Sequence, residues 1–556
     1  MNVIKRTSLS RLLALPVLAA ALMLTPSAVA YSVLSHEEVV DMAWKVQIVP
    51  MLRARFPGIT DDDIRQAHAY AYGGSVIQDI GYYPFGSHYF SDLLHYVRPG
   101  DFVNALIRDS QTPNEFAFAL GALAHFCGDT KGHPYINQVT ATENPPLQHR
   151  FGPFVTYGED PTAHLRTEFG FDVVEVAHGH YSQENYRDFV GFQVSKSLLE
   201  RAFLETYGIP MNRVIKHEDL AISIYRRAVS VLIPQMTRIA FVSYKNDIEQ
   251  AAPGTQKKKF LYRLNQIEYN KEFGTDYTHV GVRGHILAFV LRFVPKVGPF
   301  KALKVTIPNA AEQTTYLKSI NETVDAFKSY LSQIHAAPAP LPIPDAKDAA
   351  DARKAADKVS KDADEAEKRA DKSTDPTDKA KKEKVAAYVQ KVAEKAAAAA
   401  ARTEAKVEAV QSAAESTAPA PPLAAKAVLL GTSIQPPSTP ILPALDLDTG
   451  KPSGTGEYIL ADKTYAHLLN DLVKSAAAAP AGTPASPTPP ALFVDPALAA
   501  KVESFFSNPV PHTGGLITPR AAQKKVFLDL KVKTDLATLK TIESKASPAS
   551  SSPAVH

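Results

Sequence analysis

The chain has almost nothing with which to crosslink itself. Cys127 is the one cysteine among 556 residues, so no intramolecular disulfide can form. Charge of either sign is not in excess: the formal net charge is +3, which gives no bulk electrostatic argument for nucleic-acid binding. The sequence has no Gly-x-Ser-x-Gly elbow, no phosphate-cradling glycine loop and no His-Glu-x-x-His helix, so three common routes to hydrolytic or phosphoryl chemistry have no motif to stand on. β-type alternation is scarce, and helical periodicity predicts an all-α protein. Past the N-terminus no stretch is both apolar enough and long enough to span a bilayer.

The N-terminus is different. Lys5, Arg6 and Arg11 precede an apolar run from Leu12 to Leu24, and Ala28-Val29-Ala30 follows. This order reads as a secretory signal peptide, residues 1–30, cleaved before Tyr31, and predicts a periplasmic or secreted mature chain.

Composition divides the remainder. Residues 31–335 are rich in aromatics and read as one multi-helix domain, long enough for a sizeable core. Residues 336–344 form a stiff Pro-rich linker. Residues 345–416 are Ala, Lys, Asp and Glu with interleaved charge, predicting a solvated helical spacer that Pro376 splits in two; a weak coiled coil is the other reading. Residues 417–455, rich in Pro, Ser and Thr, are expected to be a disordered linker. Residues 456–545 hold short helical segments around a Pro/Ala linker, with Leu468, Leu469 and Leu472 at helical spacing. Residues 546–556 read as a disordered tail. Gly284 to Phe300 is apolar and reads as a core helix or a membrane-contacting face.

The chemistry lies in the first third. His36, Asp79, His95, His125, Asp129, His133, His164 and Glu168 are all imidazoles or carboxylates, the donors zinc accepts. His125/Asp129 and His164/Glu168 are spaced four apart, which puts each pair on one helix face. Start signals support those helices. Ser35 with Glu38 reads as a capping box ahead of His36, Thr112-Pro113-Asn114-Glu115 opens a helix through His125 and Asp129, and Asp160-Pro161 opens the one carrying His164 and Glu168. Gln78 to Gly86 reads as a glycine- and proline-punctuated loop with Asp79 at its mouth. Either pair alone is more often a surface contact than a metal site. Asp129, however, ends an almost wholly apolar run from Phe118 to Ala124, where an uncompensated charge is costly. His88 competes with His95 for the same role; His68, His149, His178 and His180 read as packing or surface residues. Cys127 reads as a small buried apolar residue.

Residues 31 to about 200 resemble the zinc-dependent phospholipase C family, whose all-helical, three-zinc fold is shared with fungal single-strand nucleases. The matching stretches are Tyr31-Ser-Val-Leu-Ser-His36, Gln78-Asp79, Leu94-His95-Tyr96, Ala124-His125-Phe-Cys-Gly-Asp129 with His133, and His164-Leu-Arg-Thr-Glu168. The resemblance implies three Zn2+ ions. Asp79, His95, His125 and Asp129 would hold one, and His133, His164 and Glu168 a second. The third would take His36, the bridging Asp129, and the amino group and carbonyl of Tyr31. Two departures stand out: the family usually begins with tryptophan where Tyr31 stands, and the gap from Asp129 to His133 is short.

The implied activity is phosphodiester hydrolysis, most simply of a phospholipid, by a zinc-bridged hydroxide attacking phosphorus, with Asp79 orienting or deprotonating the water. Peripheral membrane contact fits that substrate, and no obligate protein partner is inferred. Tyr72, Tyr82, Tyr83 and Phe85 either line the substrate cleft or simply pack. Two rival functions remain: a single-strand nuclease or nucleotidase using the same ions, and a non-catalytic envelope-associated protein whose metals only stabilise it.

Overall fold

The computed structural model describes residues 33–178, 192–228, 245–251, 306–339, 346–371, scattered positions from 379 to 408, 435–477, 496–507 and 531–538. The leader, Tyr31, Pro376 and the apolar stretch 284–300 lie outside the described residues. Among those described, the fold is all-α: the elements are helices, and the extended pairing is one isolated bridge between Leu445 and Pro452.

Helix α1 (Val33–Ala43) runs into a π-helical turn (Trp44–Ile48) and α2 (Val49–Arg55). Then come α3 (Asp61–Gly74), a 3-10 turn (Ile77–Tyr82), α4 (His88–Tyr96), α5 (Pro99–Asp109), the long α6 (Pro113–Glu143), α7 (Pro145–Phe151) and α8 (Pro161–His178). Helices α9 (Lys196–Tyr207), α10 (Met211–Val214), α11 (Glu218–Arg227), α12 (Lys245–Ala251) and α13 (Ala310–Gln333) follow. Helix α14 (Ala346–Asp371) is the spacer helix, and α15 (Ile459–Ala477) and α16 (Pro496–Ser507) come from the C-terminal region.

Helix α6 is the axis of the domain. Every residue from Phe116 to Thr130 is buried, so the helix is enclosed on every side by its neighbours, and the run from Phe116 to Ala124 is apolar all round. Helices α1, α3, α8 and α13 pack around it. Its start is the one expected: Pro113 occupies the first turn, and the Thr112 side chain accepts from Glu115 N at 3.1 Å. Glu115 does not close the reciprocal half of the box, since its Oε2 accepts from Gln111 N instead. Helix α8 starts as read, with Asp160 Oδ1 accepting from Ala163 N at 2.9 Å.

The capping box at Ser35 is not formed. The chain is already helical at Val33, and the Ser35 hydroxyl donates to Asp172 Oδ1 of α8 at 2.9 Å. A buried contact across the domain outcompeted the local cap. In α14, alanines spaced by seven (Ala349, Ala356, Ala363 and Ala370) are buried, and Ala363 clusters with Val389 and Ala393.

The largest departure concerns residues 435–455, expected to lie in a disordered linker. They pack against the helical domain: Leu447 is fully buried, and Asp446 and Asp448 are nearly so. Helix α15 continues from there onto α4, burying Leu468, Leu469 and Leu472, with His467 stacked on Tyr89 at 3.7 Å between ring centres.

Candidate metal centre

The eight side chains singled out from the sequence converge on one buried place, each at most 2% exposed. Helix α6 provides His125, Asp129 and His133, one turn apart on one face. Helix α8 provides His164 and Glu168, α1 provides His36, and α4 provides His95. Asp79 comes from the 3-10 turn rather than from a loop mouth. That turn is pinned to α6 by Gln78 Nε2, which donates to the Ala122 carbonyl at 3.0 Å, and to α4 through the Ser91 hydroxyl. Gly128 has a specific task here. A Cβ at this position would sit 2.8 Å from the His36 ring, so its absence lets the imidazole reach Asp129.

Asp129 is the hub. Its Oδ1 faces His36 Nε2 at 3.4 Å and His133 Nε2 at 3.7 Å. Its Oδ2 faces His125 Nε2 at 3.0 Å and His95 Nε2 at 3.3 Å. Asp79 Oδ1 lies 3.3 Å from His95 Nε2. On the other side, Glu168 Oε1 lies 2.7 Å from His164 Nε2 and 3.6 Å from His133 Nε2. Three sets have donor atoms close enough to share an ion: His36/His125/Asp129, Asp79/His95/His125 and His133/His164/Glu168.

Hydrogen bonds behind the rings set their tautomers. Nδ1 of His95 bonds the Ser91 carbonyl at 2.8 Å, Nδ1 of His125 the Ser75 carbonyl at 2.9 Å, and Nδ1 of His133 the Leu447 carbonyl at 2.9 Å. A carbonyl carries no proton, so each Nδ1 must donate, which leaves each Nε2 lone pair pointing into the cluster.

Ion binding has a direct test in the acceptors. Both carboxylate oxygens of Asp79, Asp129 and Glu168 are buried and accept no hydrogen bond. Six such oxygens in one dry place would be severely unfavourable without a cation. The nitrogen and oxygen donor set is the one zinc takes. Proton affinities agree in direction. Burial pushes Asp79 and Glu168 up, Glu168 well above the carboxylate range. Burial works against charge on Asp129 too, but His125 and His133 override it and hold the group well below its ordinary value. Burial likewise opposes charge on His95 and His133, but neighbouring carboxylates prevail, raising His95 well up and His133 to about 9. His164 is pushed down to about 3 by burial and by His133. Glu168, His95 and His133 thus hold protons more tightly than the free side chains do, and a divalent ion would compete with those protons.

The remaining candidates scatter. His88 is exposed at the start of α4, and His149 is exposed on α7. His68 stacks on Trp44 at 3.9 Å and its Nε2 lies 3.0 Å from Asp41 Oδ1. Cys127 is buried and free, its thiol raised by burial. Among the aromatics, Tyr72 and Tyr83 pack in the core, whereas Tyr82 reaches the centre. Its ring lies 5.9 Å from His95 and 6.0 Å from Tyr157, which in turn is 6.0 Å from His164. Tyr31 is outside the described residues.

Asp448 escaped the sequence reading. Its Oδ1 lies 3.4 Å from His133 Nδ1, and its Oδ2 accepts from the hydroxyls of Tyr96 at 2.9 Å and Tyr458 at 2.5 Å. Burial opposes its charge, yet His133 holds the group below its ordinary value. The one available signal was Asp446-Leu-Asp448-Thr-Gly450, a turn-forming acidic pair in a segment otherwise poor in charge.

Residues 35–216 match the family model described as zinc dependent phospholipase C. No curated protein and no solved structure matches the chain. The matched residues include all eight converging side chains but not the loop that carries Asp448. Over residues 35–216, about a third of its length, the chain is similar to the zinc-dependent phospholipase C family.

Proposed function

We propose that the protein is an exported phosphodiester hydrolase of phospholipase C type, with three zinc ions held as the sequence reading assigned them. The observation that carries this reading is the set of buried carboxylate oxygens on Asp79, Asp129 and Glu168 that accept no hydrogen bond and face imidazole nitrogens. In this reading Asp79, His95, His125 and Asp129 hold one ion, His133, His164 and Glu168 another, and His36 with Asp129 and the mature amino end at Tyr31 the third. Bound zinc supplies Lewis acidity toward phosphoryl oxygens and lowers the pKa of water toward 7.

The chain's own groups do the rest. The carbonyls of Ser91, Ser75 and Leu447 hold three imidazoles in the ligating tautomer. Asp79, whose burial raises its proton affinity, is suited to orient or take a proton from an attacking water. Tyr82 and Tyr157 lie against the two halves of the centre and would flank a phosphodiester. Phe85 and Phe154, three residues beyond Tyr82 and three before Tyr157, are each 50% exposed. These two exposed phenylalanines, close in sequence to Tyr82 and Tyr157, support an amphipathic substrate and peripheral contact with lipid. No described helix is long and apolar enough to cross a membrane.

Metal analysis of the purified mature protein, paired with assays on phosphatidylcholine and single-stranded DNA, tests the proposal. The expected result is bound zinc with turnover of the phospholipid. Turnover of DNA alone would move the function to the nuclease branch. Zinc without turnover of either would leave a structural metal protein.

A further inference from the structure

We propose that the loop from Leu445 to Tyr458 is a built part of the metal centre, with Asp448 as the positioning carboxylate of His133. The His133/His164/Glu168 group would then be complete only with this segment docked, and Asp448 lies 315 residues beyond the His133 it serves. The inference rests on the zinc reading given above.

Four observations carry it. First, the loop touches a ligand ring directly. The Leu447 carbonyl accepts from His133 Nδ1–H at 2.9 Å, and Asp448 Oδ1 stands at 3.4 Å from the same nitrogen. A carboxylate and a carbonyl behind an imidazole fix its orientation and make its other nitrogen a better donor to a metal. Second, Asp448 is itself aimed. Tyr96 and Tyr458 both donate to Oδ2, which turns Oδ1 toward the ring. Tyr458 also accepts from Gly158 N at 2.9 Å, just ahead of the helix that carries His164.

Third, the loop is registered on two ligand-bearing helices. Leu447 N donates to the His95 carbonyl at 3.0 Å, and Asn137 Nδ2, one turn past His133, donates to the Asp448 carbonyl at 2.7 Å. Fourth, the approach is close enough to demand glycine. Gly450 has φ +64, and a Cβ there would lie 2.4 Å from the Thr130 carbonyl oxygen. A segment that merely covered the surface would not bury a carboxylate at this cost.

The experiment compares full-length wild type with Asp448→Ala and Asp448→Asn. Zinc affinity is measured by competition with a chromophoric chelator, and the ligand field by the visible spectrum of the cobalt-substituted protein. Wild type is expected to bind all its ions. Asp448→Ala should hold one ion equivalent tenfold to a hundredfold more weakly, with an altered cobalt band and the other ions unchanged. Asp448→Asn keeps an oxygen for the two tyrosines and should fall between. If Asp448→Ala does not fold, as judged by circular dichroism, Asp448→Asn carries the comparison. Folded variants with wild-type zinc affinity and cobalt spectrum would overturn this inference alone. A wild type that binds no zinc would overturn the metal reading and this inference with it.

Discussion

The two halves of the centre are built differently. The half formed by His36, Asp79, His95 and His125 around Asp129 is self-contained: its ligand side chains come from residues 36–129, and its supporting carbonyls belong to Ser75 and Ser91. The half formed by His133, His164 and Glu168 leans on a loop from the far end of the chain, through Leu447 and Asp448. The first half is held by contacts within residues 36–129, among them Gln78 on the Ala122 carbonyl and His125 on the Ser75 carbonyl. The second also needs contacts from residues 445–458. The first should therefore tolerate perturbation of the C-terminal region, and the second should not.

Asp129 spans both halves, so its loss should have the largest effect. Asp129→Asn should lower phosphodiester hydrolysis by on the order of 10³-fold, equivalent to about 4 kcal/mol of transition-state stabilisation, and should cost more than one ion equivalent. Steady-state kinetics with metal analysis would check this. A variant that kept its ions would remove Asp129 from the hub.

Removing metal comes next. A cation that binds the folded state at a thousand times its dissociation constant adds about 4 kcal/mol, so chelation should lower the melting temperature by roughly 10 °C. The pH dependence follows from the proton affinities. Asp79, Glu168, His95 and His133 all have proton affinities raised within the cluster, and zinc must displace those protons. Zinc affinity should rise with pH, and calorimetry in buffers of different ionisation enthalpy should record proton release. Uptake without proton release would place the ion elsewhere.

Gly128→Ala aims at the self-contained half. Its Cβ would meet the His36 ring at 2.8 Å, which should cost about 1–3 kcal/mol. It should weaken the ion at His36 and leave the His133 group alone, the mirror image of Asp448→Ala. Equal loss from both groups would erase the distinction between the halves.

The smallest effect should come from Glu143, at the end of α6 and outside both halves. Burial raises its carboxyl to about 7, although Thr167 donates to it at 2.7 Å. The folded state thus prefers the neutral acid. Stability is full below the ordinary carboxylate pKa and falls as pH rises through about 7. Glu143→Gln should be more stable than wild type at pH 8 by about 1 kcal/mol, a figure discounted for partial solvent access, and no different at pH 4. Denaturant titrations at the two values would check it.

What was legible in the sequence followed local spacing in both halves. His125/Asp129 and His164/Glu168 could be read because four-residue spacing and first-turn prolines are local signals, and the helices they predicted formed. Ser35 was misread because a long-range partner, Asp172, outcompeted a local cap. Asp79 was misplaced because its 3-10 turn is held by Gln78 and Ser91 contacts that no spacing encodes. Asp448 was missed for the same reason on a larger scale. Its surroundings have the composition of a linker, and its order comes from Tyr96, Asn137 and His133, all more than 300 positions away. Composition reports how much apolar surface a segment brings with it, not what surface the rest of the fold offers it.

Anomalous diffraction recorded across the zinc absorption edge would test the central claim most directly, using crystals of the mature protein grown with zinc. The account predicts peaks between Asp129 and its four facing imidazoles, and between His133, His164 and Glu168. Diffraction showing those carboxylates satisfied by water or protein donors, with no anomalous signal among them, would contradict it.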